Sequence, residues 1–407
     1  MPEDVSARRR LALRASAEED QESVLALARE LVRLPSRGGI DPYQPVLDHV
    51  AGWLHHRGLR TRPLHDGAGA CVGLVCEVAG AAPGPRWVLD ACLDTAPFGD
   101  ESAWSRPPTS AALAEGWLYG RGAADSKTTA AIFCHIAVRM ARQAHRLRGT
   151  LTLLFDVDEH TGHFGGAKRY FEGPGAPDDA AGVMIGYPGI DHLVVGGRGV
   201  YRARLSVHGT ASHSGGSAVT PNAIVKAADV VRTLHALRLP GGTPTFRPAG
   251  KLTITGVSAG QGYSVTPDLC LVNVDVRTTP TFTSQAAATV LGRAVRDVDA
   301  AWPTTRPTTV TVETDWPPYA LPEEAPLRRA LLDAAERHGL TVAPKVAGPS
   351  NIGNYLAGLG IPATAGFGPD YRGLHATDER VRVSTIPLAQ AVYHDAVLEL
   401  LTTGVAG

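Results

Sequence analysis

The pattern of apolar residues changes near residue 197 and changes back near residue 317. Before that point, short apolar runs such as 71–80 and 150–159 alternate with amphipathic segments, which predicts strands that alternate with helices. From 197 to 310 the predicted order is strand, helix, strand, strand, helix, strand, which is typical of a small α+β domain. The alternating pattern resumes at about 317. These changes predict one large domain that a small domain interrupts.

The fold class that follows is an α/β sandwich with a mostly parallel central sheet and a small α+β (βαββαβ) insertion. We assign residues 1–196 and 311–407 to the α/β domain and residues 197–310 to the inserted domain. The chain of 407 residues, 44% of them hydrophobic, is long enough for two domains with buried cores.

The charge balance restricts the classes of partner. Lys and Arg number 39 against 40 Asp and Glu, which argues against nucleic acid as the main partner. Five cysteines without a CxxC pair are too few for a disulfide scaffold. The sequence contains no run of 18 apolar residues, and its first residues lack the apolar stretch of a signal peptide. We therefore expect a cytoplasmic protein without membrane contact.

Polar clusters follow several of the predicted strands, where α/β proteins usually place their sites. They read DACLDTAP, GRGAADSK, DVDEHTG and LHATDE, and they lie at 90–97, 120–127, 156–162 and 374–379. Their order and spacing resemble the M20 family of metallopeptidases and amidohydrolases, which includes aminoacylases, acetylornithine deacetylases, succinyl-diaminopimelate desuccinylases and glutamate carboxypeptidases. The resemblance covers residues 20–400. It implies two zinc ions bridged by a carboxylate, a glutamate as general base, and an inserted domain that serves as a lid or as a homodimer contact.

Three of the five metal-ligand positions that the resemblance implies carry other residues here. Asp125 matches the bridging carboxylate, and His375 matches the last histidine. The first histidine of the family is replaced by Cys92, the second glutamate of its Glu-Glu pair by His160, and the acid of its Gly-Glu-Pro stretch by Tyr187.

The resemblance implies two metal ions, and the residues present here offer good ligands for one of them and poor ligands for the other. Asp125, His160 and His375 form a competent zinc set with a position left for water, and iron or manganese would also suit it. Cys92 and Tyr187 are the weaker candidates, because a phenol must first lose a proton with a pKa near 10. We expect one divalent metal, zinc first, while two metals or none are left open.

The remaining site residues are also carried over from the resemblance. Glu159 matches the general base, which would take a proton from water activated by the metal. His213 matches a histidine that stabilises the oxyanion, and Asp94 matches an orienting carboxylate. Arg277 would hold a substrate carboxylate. The other predicted substrate-binding residues are Asn222, Ser350, Asn351 and Tyr187.

The predicted function is hydrolysis of the amide bond of a small N-acyl amino acid, dipeptide or carrier-linked amino acid, by a homodimer. Two alternatives are left open. The same fold could serve acyl transfer, amide formation or isomerisation in a specialised biosynthetic pathway, or it could be a metal-free binding protein. The presence of Glu159, Asp125, His213 and His375 together argues against the binding protein, because a decayed site has no chemical reason to keep a base and an oxyanion donor.

Overall fold

A computed structural model describes residues 2–247 and 249–402, without the side chains of residues 2–6. These residues divide into two compact units. Unit 1 comprises the described residues up to Val195, Leu321–Lys345, and those from Ile361 onward. Unit 2 comprises Gly196–Ala320 and Val346–Gly360.

The described residues form helices and strands in alternation through most of the chain. The helices are α1 Pro2–Arg33, α2 Gln44–His55, α3 Thr128–Arg142, α4 Gly165–Phe171, α5 Ala223–His235, α6 Ser284–Ala301, α7 Pro326–Arg337, α8 Ile352–Gly358 and α9 Ile386–Thr402. The strands are β1 Thr61–His65, β2 Cys71–Ala79, β3 Ala82–Cys92, β4 Leu113–Ala114, β5 Trp117–Tyr119, β6 Arg148–Asp156, β7 Ala180–Ile185, β8 His192–Gly197, β9 Gly199–His208, β10 Ser212–His213, β11 Lys251–Ala259, β12 Val265–Thr266, β13 Leu269–Thr278, β14 Thr309–Trp316, β15 Tyr319–Ala320, β16 Ala343–Ala347, β17 Ala363–Ala365, β18 Tyr371–Arg372 and β19 Arg380–Arg382. None of these helices is long and apolar enough to cross a membrane.

The main sheet of unit 1 has a parallel centre. Its strands follow the order β1, β2, β6, β3, β7, β17, β8, and the short strands β15 and β16 both pair with β8. Strands β6, β3, β7 and β17 run parallel, while β1, β2 and β8 pair antiparallel toward the edges. The inner strands are buried over long runs, such as 151–156 in β6, because helices α3, α4 and α9 pack on this sheet. The predicted α/β class with a mostly parallel central sheet is confirmed.

Unit 2 contains a four-stranded antiparallel sheet in the order β11, β13, β9, β14. Alternate residues of β9 and β13 are buried, which gives the sheet one apolar face. Helices α5 and α6 cover that face, and their buried side chains join those of the strands in one core. The chain order of these elements is the βαββαβ order expected from the sequence.

The extent of unit 2 differs from the predicted 197–310 at its C-terminal side. Strand β14 pairs with β9 as far as Trp316, so the unit continues past residue 310. Residues 346–360 also belong to unit 2, although the prediction assigned them to the α/β domain. Side-chain bonds explain this, because Ser350 Oγ donates to the Arg198 carbonyl at 2.7 Å and Asn354 Nδ2 donates to the Pro317 carbonyl at 2.9 Å.

Candidate active site

The ends of three parallel strands bring the first group of polar residues together. Cys92 at the end of β3 is paired in register with Asp156 at the end of β6, and β7 lies on the other side of β3. Residues that follow these strands therefore leave the same edge of the sheet. Glu159 and His160 follow β6, and Tyr187 follows β7.

Two turns add the remaining candidate ligands. Asp125 lies in the turn 123–127 before α3, and His375 lies between β18 and β19 with a φ of 58°. His375 Nε2 is 2.8 Å from Asp125 Oδ2. His160 Nε2 is 3.3 Å from His375 Nε2 and 3.5 Å from Asp125 Oδ2. The three residues thus form a compact cluster whose donor atoms all lie within 4.8 Å of one another.

These separations fit one metal ion. Ligand atoms at about 2.0–2.1 Å from a tetrahedral zinc are about 3.3–3.4 Å apart. Two of the three separations between Asp125, His160 and His375 agree with that value, and the third is shorter. Two imidazoles with one carboxylate also suit iron or manganese.

The donors at the other family positions are less suited to a metal. The Tyr187 hydroxyl donates a hydrogen bond to Glu159 Oε1, and Cys92 Sγ is 3.6 Å from Asp125 Oδ1. Burial, reinforced by the charge of Glu159, raises the pKa of both the Cys92 thiol and the Tyr187 phenol well above their usual values. Both groups are therefore protonated at neutral pH. Donor atoms of Cys92, Asp125 and Glu159 nevertheless approach within 4.8 Å of one another.

Asp94 is fully buried and holds the turn that carries Glu159 and His160. Its Oδ1 accepts from the Glu159 amide at 3.2 Å, and its Oδ2 accepts from the His160 amide at 2.9 Å. His160 Nδ1 lies 3.3 Å from Asp94 Oδ2, although its geometry makes no hydrogen bond within the described residues. The carboxylate therefore orients position 160. Carboxylates commonly orient the imidazoles that bind metals in this way.

The charges of the site favour a cation. Burial, together with the negative charge of Asp125, raises the pKa of Glu159 to about 7. Burial opposes the charged form of His160, but the nearby carboxylates of Asp125 and Asp94 outweigh that effect and raise its pKa to about 11. Burial likewise opposes ionisation of Asp125, but the imidazoles of His160 and His375 beside it hold its pKa far below the usual range. A cluster of carboxylates that draws a proton onto an imidazole has the negative charge that a metal ion requires.

The other predicted site residues lie in unit 2. His213 is exposed on β10, and its Nδ1 accepts from the Gly215 amide at 3.0 Å, so its Nε2 carries a proton and is a donor. Arg277 Nη1 donates to Ser350 Oγ at 3.0 Å, and its Nε donates to Asp275 Oδ1 at 2.7 Å. Arg277 and Ser350 are therefore neighbours, and their binding of substrate stays a prediction.

Two predicted substrate-binding residues have a clear structural role. Asn222 caps the N-terminus of α5 by accepting from the Ile224 amide at 2.8 Å. Asn351 caps α8 by accepting from the Gly353 amide at 2.8 Å, with Asn354 completing a capping box. An asparagine directly before a helix commonly caps its N-terminus. This role could have been predicted for Asn222 and Asn351 beside the substrate contacts.

A buried ion pair between Glu379 and Arg121, next to Asp125, was not predicted from the sequence. Glu379 and Arg121 are both buried, and Arg121 Nη1 is 2.6 Å from Glu379 Oε2. Glu379 is the last residue of the LHATDE motif, and Arg121 is the second residue of the GRGAADSK motif. Opposite charges within two site motifs were the sequence signal that could have identified this pair.

Comparisons with known proteins agree with this architecture. The family model for peptidase family M20/M25/M40 matches residues 88–399. A succinyl-diaminopimelate desuccinylase from Rhodospirillum centenum is 26% identical over 388 residues, which cover 92% of this chain and 96% of that enzyme. Among solved structures, an M20 family metallo-carboxypeptidase from Sulfolobus solfataricus superposes with a TM-score of 0.73 at 17% identity and covers 93% of this chain and 99% of its own. A dinuclear metal-binding M20 peptidase from Bacillus subtilis gives a TM-score of 0.71 at 16% identity and covers 95% of this chain and 99% of its own.

Proposed function

Because this chain belongs to peptidase family M20/M25/M40 and is a hydrolase of the peptidase and amidohydrolase type, we propose that it cleaves the amide bond of a small substrate carrying a carboxylate. The substrate class is an N-acyl amino acid, a dipeptide or a carrier-linked amino acid. The observation that carries this proposal is the cluster of Asp125, His160 and His375 directly beside Glu159.

The proposed metal is a single divalent ion, zinc first, on Asp125, His160 and His375. The support is the fit of their separations to one tetrahedral ion, with iron and manganese as further metals for the same donors. Bound there, the ion would supply a Lewis acid that polarises the substrate carbonyl and makes water easier to deprotonate. The hydrogen bond from Tyr187 to Glu159 argues against Tyr187 as a ligand of a second ion.

Glu159 is the proposed general base and then the general acid. Its pKa of about 7 suits both tasks, because the carboxylate takes the proton from water and returns it to the leaving amine near neutral pH. The Tyr187 hydroxyl donates a hydrogen bond to Oε1, so we assign the proton transfer to Oε2. Asp94 fixes the backbone amide of Glu159 and thereby the position of the base.

His213 and Arg277 are the proposed contributions of unit 2. With its Nδ1 occupied by the Gly215 amide, His213 offers an Nε2 proton to the oxyanion of the tetrahedral intermediate. Arg277 offers a planar guanidinium to the substrate carboxylate, and Ser350 fixes one end of it. Asn222, Asn351 and Tyr187 stay predictions as substrate contacts.

We also propose that two copies associate through unit 2, in the cytoplasm. Strand β11 lies at an edge of the sheet, and Val257 on it is exposed, as are Ile224 and Val225 on α5. An open strand edge beside apolar side chains is a surface that pairs readily with another chain. All five cysteines are free thiols, which is usual in a reducing compartment.

The test is a hydrolysis assay on zinc-loaded protein with a panel of N-acetyl and N-succinyl amino acids and dipeptides. Release of the free amine is followed by mass spectrometry. We expect turnover of at least one substrate class, and a loss of about 10²–10⁴-fold in kcat for Glu159→Gln with the metal retained. Full activity of Glu159→Gln, or no hydrolysis of any member of the panel, would overturn the proposal. Transfer of the acyl group to an added amine in place of water would instead favour the alternative reaction.

A further inference from the structure

A single buried carboxylate organises the backbone of the turn that carries Asp125. Glu379 Oε1 accepts from the amides of Gly122 at 3.0 Å, Ala124 at 2.9 Å and Asp125 at 3.3 Å. Its other oxygen is bound to Arg121. Three amides that converge on one oxygen leave this turn little freedom to change shape.

The same ion pair also reaches the turn that carries His375. Arg121 Nη2 donates to the His375 carbonyl at 3.3 Å, and the Gly120 amide donates to the Glu379 carbonyl at 2.9 Å. Segments 120–125 and 375–379 are thus bonded to each other through both side chains and backbone. Asp125 and His375, which lie 250 residues apart in the chain, meet across this junction.

The turn at His375 needs such support because its backbone is unusual. His375 has a φ of 58°, and a residue with a side chain rarely adopts a positive φ unless its surroundings impose it, whereas Gly122 adopts its φ of 83° without strain. A ligand displaced by about 1 Å binds its metal poorly, so the residues that hold such turns influence metal affinity strongly.

From these contacts we infer that Arg121 and Glu379 are positioning residues, which hold Asp125 and His375 at the separation that a metal ion requires. Neither side chain touches the metal or the substrate in this account. The inference rests on the proposed function, because it assigns the metal to Asp125, His160 and His375. It predicts that metal affinity depends on a carboxylate at position 379.

A matched control separates positioning from general stability. Buried Lys226 and half-buried Asp299 form another ion pair, with Nζ 2.7 Å from Oδ1, inside unit 2. Asp299 also accepts from the Thr308 amide and hydroxyl, each at 2.9 Å, so Asp299→Asn removes a comparable set of bonds. It does so without touching the turns at Asp125 and His375.

The first measurement is zinc affinity by competition with a chromogenic chelator, on wild type, Glu379→Gln, Arg121→Lys and Asp299→Asn. We expect Glu379→Gln to weaken zinc binding by about 10–100-fold. Arg121→Lys keeps the charge but loses the bond to the His375 carbonyl, so it should weaken binding to a smaller extent. Asp299→Asn should bind zinc as the wild type does.

The second measurement is hydrogen exchange of the metal-free protein, which reports on the turns without any metal. Amides of 120–127 should exchange faster in Glu379→Gln than in wild type, and they should be unchanged in Asp299→Asn. Equal zinc affinity and equal exchange in Glu379→Gln would overturn the inference while the proposed metal site stands. A wild type that binds no zinc would overturn the proposed metal site itself, and the exchange data would still decide whether Glu379 holds the turn.

Discussion

Two buried acids behind the active site should make the protein less stable as the pH rises. Asp90 on β3 and Asp156 on β6 are each 1% exposed, and both oxygens of Asp156 are without a hydrogen-bond partner in the part of the chain that the structure describes. Burial raises the pKa of both carboxyls well above the usual value, with the charge of Glu159 adding to the effect at Asp90 and that of Asp90 at Asp156. The pair therefore retains a proton to a higher pH than exposed carboxyls do.

The size of this loss of unfolding free energy follows from the proton that the folded state retains and the unfolded state releases. An acid whose pKa is higher in the folded state stabilises the protein fully below its unfolded pKa, near 3.9, and this contribution is lost as the pH rises toward the folded pKa. Each pH unit in that window costs about 1.4 kcal/mol. A proton that is retained over two pH units within that window therefore costs roughly 3 kcal/mol of unfolding free energy.

The substitution Asp156→Asn removes this cost, because an amide needs no proton to remain neutral and can donate to Asp90. We expect the variant to gain stability over wild type as the pH rises from 5 to 7, by roughly 1 kcal/mol per unit or more. Urea unfolding of the metal-free chain at pH 5, 6 and 7 measures this gain. Glu336→Gln, which removes an exposed carboxylate, is the control and should show no such trend. A difference between Asp156→Asn and wild type that is independent of pH, or a loss of stability at pH 7, would show that the buried pair retains no such proton.

Three further predictions concern the reaction. Tyr187→Phe removes a hydrogen bond that lowers the pKa of Glu159, so the acidic limb of the kcat/KM profile should move to higher pH, which a pH–rate series measures. His213→Ala should reduce kcat by about 10²–10³-fold with a small change in KM, because it removes an oxyanion donor, and steady-state kinetics separate the two constants. Arg277→Lys should raise KM for carboxylate-bearing substrates more than for their methyl esters, because the paired guanidinium contact is lost, and parallel kinetics on acid and ester decide this.

The fold could be predicted where local periodicity is strong. The alternation of apolar residues in β9 and β13 and the helical spacing in α5 and α6 indicated the βαββαβ order, because one buried face imposes a fixed period on each element. The C-terminal extent of unit 2 could not be predicted from local periodicity. It depends on hydrogen bonds from the side chains of Ser350 and Asn354 to the carbonyl of Arg198, about 150 positions away in the chain.

For the candidate site, the residues could be predicted from the sequence, but their contacts could not. Motif order singled out Cys92, Glu159 and His160, because residues at the ends of neighbouring parallel strands meet at one edge of the sheet. The partners of these residues were not accessible from the sequence. That Asp94 holds the turn at His160, and that the Tyr187 hydroxyl bonds to Glu159, depends on how separate segments pack.

The number of metal ions bound per chain shows whether Asp125, His160 and His375 hold a single ion. Elemental mass spectrometry is applied to protein purified without chelators, for wild type, His160→Ala and His163→Ala. His163 is exposed and only three residues from His160, so its substitution controls for local disturbance. We expect about one zinc, iron or manganese ion per chain in wild type and His163→Ala, and almost none in His160→Ala. Two ions per chain, full occupancy in His160→Ala, or no metal in a folded wild type would contradict it.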